Sequence, residues 1–113
     1  MKREKSKLII LCLIIFAFFF SSAYAKDEKK IYDKKCASCH GKDGKGNAAM
    51  VKMLKVEAPL LNLVDKATLD KADEDLVSII VKGLNKMPAF EKSLKNEEIR
   101  GTVSYIRSLV LAK

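Results

Sequence analysis

The chain has 113 residues, a formal net charge of +8, three cysteines and a single histidine. This is enough for one small domain. One histidine cannot support a multi-histidine metal centre, and cations spread along the whole chain do not form the basic stripe of a nucleic-acid-binding protein.

The chain opens with "MKREKSK", followed by 13 apolar residues from Leu8 to Phe20 and then by "SSAYA". Thirteen is short of the roughly 20 residues that a membrane-crossing helix needs. Ala23 and Ala25 are small residues at the −3 and −1 positions of a signal-peptidase site. The pattern predicts an export signal over residues 1–25, with cleavage after Ala25 and delivery to the periplasm. If residues 8–25 stay attached, the segment is instead a membrane anchor. Cys12 follows Leu11, not the small residue that a lipoprotein signal places before its cysteine. Cleavage would leave residues 26–113, an 88-residue domain carrying only Cys36 and Cys39. A domain of that size has a marginal apolar core, and a cofactor, metal or disulfide often supplies the remaining stability.

Residues 26–35 are mostly charged and predict a short helix leading into "CASCH" (Cys36 to His40). "GKDGKGN" has three glycines in seven residues and reads as a loop. Residues 48–56 permit a short helix through Met50, Met53 and Leu54. The stretch around Pro59 reads as extended or turn-like, because proline disfavours helix in the residue before it. Residues 73–82 predict a helix with Asp73, Glu74 and Asp75 at its positive end, Leu76, Ile79 and Ile80 on one face, and Gly83 ending it. "KMP" (Lys86 to Pro88) breaks the pattern. The last helix has Asn96 as its expected cap, Glu97 and Glu98 in its first turn, and an apolar stripe of Ile99, Val103, Ile106 and Val110. No segment alternates with the period of a strand, so the fold class is all-α.

Three chemistries use a CxxC pair. Structural zinc takes four ligands, and residues 26–113 contain no cysteine or histidine beyond those of "CASCH". A dithiol redox site normally opens a helix after a strand, and this chain shows no strands. C-x-x-C-H is also the c-type haem attachment motif, in which two thiols a helical turn apart become thioethers and the next histidine lies under the iron. With one histidine, bis-histidine ligation within the chain is impossible. The candidates for the opposite face are Met50, Met53 and Met87. Met50 and Met53 lie 10 and 13 residues beyond His40 and read as packing side chains. Met87 lies 47 residues beyond it, stiffened by Pro88, far enough for the chain to wrap a haem and return on its other side. Leu60, Leu63, Ile79, Ile80, Phe90 and Ile106 are the apolar residues expected to keep water from the iron.

"IYDKKCASCHGKDGKGN", "GLNKMPAF" and "NEEIRGTVSYIRSL" together resemble a class I monohaem cytochrome c of the small bacterial, c6-like kind. The resemblance covers nearly all of residues 26–113. It implies three to four helices around one covalent haem c, with Cys36 and Cys39 as thioether sites, His40 as proximal ligand and Met87 as distal ligand. It also implies a proline carbonyl, matched by Pro59, accepting the proximal histidine's Nδ1–H. The family crosses its first and last helices through an aromatic pair, matched by Tyr32 and Tyr105, and a small residue. Glu28 stands at the small residue's position, and Gly101 is the alternative point of close approach.

The function this implies is one-electron transfer between redox partner proteins by a monomer without substrate chemistry of its own. Lys34, Lys35, Lys42 and Lys45, with Lys82, Lys86, Lys92 and Lys95, suggest partners with acidic docking surfaces. Asp65, Asp70, Asp73, Glu74 and Asp75 form an opposing acidic patch. The competing reading is a haem sensor or peroxidase-like protein with a labile sixth ligand.

Overall fold

The computed structural model describes residues 2–112, with side chains described at 3–15 and 27–112. Six α-helices and one 3₁₀ turn follow in the order α1 (Lys2–Lys35), α2 (Ala37–His40), α3 (Ala48–Leu54), the turn (Ala58–Leu61), α4 (Lys66–Leu69), α5 (Asp73–Lys82) and α6 (Asn96–Leu111). The described residues contain no strand, only an isolated bridge between Leu84 and Met87.

The apolar stripe of α6 makes it the spine of the domain. Ile99, Val103 and Ile106 recur at helical spacing and are all buried. Burying side chains of this size contributes about 1.5–3 kcal/mol each. Thr102 is also buried, and its hydroxyl is satisfied by donating 2.7 Å to the Glu98 carbonyl. One end of α6 packs on Leu76, Val77 and Ile80 of α5, with Met87, Phe90 and Leu94 closing that cluster. The other end packs on Tyr32, Cys36 and Ala37, with Leu63, Tyr105 and Leu109 alongside. The bond from Arg100 to Glu74 is bidentate, at 2.6 and 3.2 Å. Arg107 reaches Asp73 and the carbonyls of Thr68, Leu69 and Lys71, tying α6 to the end of α4 and the start of α5.

Helix α5 has the expected bounds, and the Gly83 N–H caps it on the Ile79 carbonyl. The last helix differs at its start. Lys95, not Asn96, is the capping residue, and its N–H donates 2.7 Å to the Glu98 carboxylate. A carboxylate one turn inside the helix thus satisfies the capping residue's own N–H, the reach-back half of a capping box. Helix α3 is capped by Asn47, whose side chain accepts the Ala49 N–H, and it stops at Lys55 in the left-handed region (φ 55°). Around Pro59 the chain closes a 3₁₀ turn, the turn-like of the two expected alternatives. Helix α4 was not anticipated; it forms because Asp65 accepts the Thr68 N–H at 2.9 Å.

Helix α1 runs unbroken through both the basic–apolar start and residues 26–35, which the sequence divided into a signal and a short helix. The side chains of the Ala23-Tyr24-Ala25 processing site lie outside the described residues. Among the described residues no helix is long and apolar enough to cross a membrane.

Helices α1 and α6 cross as the aromatic pair suggested. Tyr32 is fully buried, with its ring 5.1 Å from that of Tyr105 and tilted by 53°. At this crossing Gly101 lies under the Glu28 side chain, so that a Cβ there would stand 2.8 Å from Glu28 Cγ and Oε1. Burial at this crossing pushes the Glu28 carboxyl above its ordinary range. Helix propensity favours alanine at Gly101 by about 1 kcal/mol, while the clash with a flexible side chain opposes it. Gly101→Ala alone is therefore expected to leave the thermal midpoint nearly unchanged. In a Glu28→Ala background the same change is expected to stabilise by about 1 kcal/mol. Equal losses in both backgrounds would show that backbone, not Glu28, sets the approach.

Candidate functional site

The site begins where α1 ends. Its last turn continues through the Cys36 N–H, 2.9 Å from the Tyr32 carbonyl, into the one-turn helix α2. That turn sets Cys36 and Cys39 three residues apart as two free thiols, Cys36 buried and Cys39 half-buried. Burial, with a smaller contribution from Cys39, raises the Cys36 thiol to about 11.

His40 is only 8 % exposed. Its Nδ1 lies 2.9 Å from the Leu61 carbonyl. A carbonyl can only accept, so Nδ1 carries the proton and Nε2 keeps the lone pair available to a metal. Burial depresses the imidazole's basicity, and the Leu61 bond opposes that shift.

This corrects the expectation for Pro59. The Pro59 carbonyl accepts the Asn62 N–H at 3.2 Å within the 3₁₀ turn, and the turn delivers the Leu61 carbonyl to the ring instead. Leu61 was missed because a backbone acceptor leaves no mark in a side-chain pattern. Asn47 was missed as well. Its side-chain amide donates 2.9 Å to the Ser38 carbonyl and its N–H donates 3.0 Å to that of Cys39. The Gly46 N–H takes the His40 carbonyl at 2.7 Å, and the Tyr32 hydroxyl takes that of Gly41 at 2.7 Å. The end carbonyls of the "CASCH" turn are thereby paired, which holds the turn rigid.

Met87 sits on a separate strap. It is half-buried against the α5–α6 cluster. Its N–H and carbonyl exchange bonds of 2.9 and 3.1 Å with Leu84, across a tight turn in which Asn85 has φ 53°. The Phe90 and Glu91 N–H groups then cap the Ile80 and Val81 carbonyls at the end of α5. A Cβ on Gly83 would stand 2.7 Å from the Met87 carbonyl, so the strap lies directly on the helix end. By contrast Met53 is 71 % exposed, and Met50 lies half-buried on the same helix. Of the residues expected to exclude water, Ile80 and Ile106 are buried and Leu63, Ile79 and Phe90 half-buried, whereas Leu60 is exposed.

Among the described residues no cluster of three or more His, Cys, Asp or Glu could hold a metal ion by itself. The profile of the family described as "Cytochrome C oxidase, cbb3-type, subunit III" matches residues 23–106. Cytochrome c6 from a Nostoc species is 36 % identical over 107 residues, which cover 88 % of this chain and 86 % of that protein. The chain belongs to the class I monohaem cytochromes c. Cytochrome c6 from Pyropia yezoensis is 33 % identical over 115 residues, covering 92 % of this chain and 94 % of that one. The oxidase subunit FixP of Bradyrhizobium diazoefficiens is 40 % identical over 87 residues, but this cytochrome c spans only 27 % of its length. Among solved structures, cytochrome c6 from the diatom Phaeodactylum tricornutum superposes with a TM-score of 0.57 over 78 % of this chain and 95 % of that one, at 24 % identity. The fold is that of a cytochrome c, with one covalent haem c and redox partner proteins.

The residues fit that cofactor. Two reduced thiols stand a helical turn apart, and the adjacent imidazole has one nitrogen anchored and the other unprotonated. Haem c supplies one-electron iron chemistry. Cys36, Cys39 and His40 would hold it on this side.

Proposed function

We propose that this cytochrome c is an exported electron carrier, with its haem bound through Cys36 and Cys39 and ligated by His40 and Met87. The observation that carries the ligand assignment is the strap. Of Met50, Met53 and Met87, it is Met87 that packs against the apolar cluster of α5 and α6, on a strap hydrogen-bonded at Leu84 and again at Phe90. A thioether opposite an imidazole raises the reduction potential. Leu61 fixes the orientation and basicity of that imidazole.

The basic start and short apolar run support export to the periplasm. Chain surfaces support acidic partners: Lys34, Lys35, Lys42, Lys45, Lys82, Lys86, Lys92 and Lys95 are all exposed. The opposing acidic patch is partly engaged, since Asp73 and Glu74 pair with Arg107 and Arg100. Such an asymmetric distribution orients an encounter and speeds it at low salt. The single histidine of the sequence supports this reading over a peroxidase-like one.

The test is an equilibrium redox titration of the purified monomer. A reversible one-electron curve, with no peroxidase turnover, is expected. Sustained turnover of peroxide by the native protein would overturn the carrier reading in favour of an enzyme.

A further inference from the structure

Gly46 lies in the loop after "CASCH" and touches the histidine site in two ways. Its N–H donates 2.7 Å to the carbonyl of His40. Its Cα also faces Leu61 so closely that an added Cβ would meet Leu61 Cβ at 3.2 Å, and the Leu61 carbonyl carbon and oxygen at 3.4 Å. That oxygen is the one accepting from His40 Nδ1 at 2.9 Å. Gly46 therefore closes a ring of contacts: His40 backbone, Gly46, Leu61 backbone, His40 imidazole. Its φ of +98° belongs to a region that side chains with a Cβ rarely enter.

We propose that Gly46 is a positioning residue for the proximal ligand, setting the His40–Leu61 hydrogen bond, and through it the reduction potential, by letting the loop lie directly against Leu61. This rests on His40 being the iron's proximal ligand. The bond stands at the optimum length for an N–H donor and a carbonyl, so displacing Leu61 weakens it in whichever direction the carbonyl moves. A weaker acceptor draws less on the Nδ1 proton and leaves the imidazole a poorer electron donor. Ferric iron is then less stabilised and the potential rises.

Two residues away, Gly44 provides an internal control. Its φ is +77°, so alanine there meets comparable backbone strain. An added Cβ at Gly44 would meet Leu109 and Val64 side chains, not Leu61. The Gly44 carbonyl accepts the Leu63 N–H at 2.7 Å, a backbone bond that alanine can also make.

The experiment compares holo-protein of Gly46→Ala and Gly44→Ala in two measurements: reduction potential, and solvent exchange of the His40 ring N–H by proton NMR. Gly46→Ala is expected to raise the potential and to speed the exchange, by up to roughly tenfold, the limit set by losing one ordinary hydrogen bond outright. Gly44→Ala is expected to change neither, while lowering thermal stability. Equal shifts in both variants would assign the effect to loop strain and overturn the proposal, as would no shift in either. If Gly46→Ala gives no folded protein, Gly46→Asn carries the same comparison, asparagine being the non-glycine side chain most at ease at positive φ. Should the wild-type His40 ring proton be absent from the iron-shifted resonances, the proximal assignment fails, and the proposal with it. That outcome is read on the wild type alone, so it is separate from any result on the variants.

Discussion

Replacing both Cys36 and Cys39 by serine is expected to abolish covalent haem attachment completely. The two thiols are the only ones in residues 26–113, and both stand free on the "CASCH" turn. No other side chain can replace the lost thioethers. Mass measurement under denaturing conditions should show bare polypeptide for the double variant and a single haem adduct for the parent. Secondary structure should fall with the haem. A helical domain of about this size has a small core, and the group covering its apolar interior contributes directly to folding. Each single variant should retain a reduced fraction of adduct through the remaining thiol. A double variant that still carried covalent haem would show that "CASCH" is not the attachment site.

Met87→Ala is expected to lower the reduction potential and open the iron to exogenous ligands. A methionine opposite histidine favours ferrous iron. Axial ligands tune haem potentials over about 0.8 V, so losing this one should lower the potential by on the order of 0.1–0.2 V. Truncating a half-buried methionine should also cost about 2 kcal/mol of stability, the low end for such a change. The readouts are an equilibrium redox titration and carbon monoxide binding by the reduced protein. Met53→Ala is the matched control. Met53 is 71 % exposed, so its removal should change neither readout. If Met53→Ala or Met50→Ala reproduced the effects and Met87→Ala did not, the distal assignment would move to α3.

The sequence carried some features plainly and others not at all, for physical reasons visible in particular residues. Helix α5 was legible to the residue because three acidic side chains mark its positive end and Gly83 stops it. Helix α6 was legible through its alternating four- and three-residue apolar spacing, yet its cap was misread: side-chain type pointed to Asn96, while a bond from the Lys95 backbone to Glu98 decided the matter. Tyr32, Tyr105 and the approach at Gly101 followed from the family resemblance, with Glu28 accommodated by lying along Gly101. The spacing of "CASCH" was legible as two thiols one helical turn apart with His40 directly behind them, because that geometry follows from residue types at fixed positions. The acceptor for His40 was not. Any residue can offer a carbonyl, and a 3₁₀ turn of four residues decided between Pro59 and Leu61. Helix α4 was likewise too short to show a period.

The central claim is that one haem c is held between His40 and Met87 and stays six-coordinate while it exchanges electrons. The optical spectrum of the purified oxidised protein tests it most directly. The oxidised protein is expected to give a low-spin spectrum with a weak long-wavelength sulfur-to-iron charge-transfer band that disappears in Met87→Ala. A high-spin spectrum in the untouched protein, together with ready carbon monoxide binding after reduction, would contradict it.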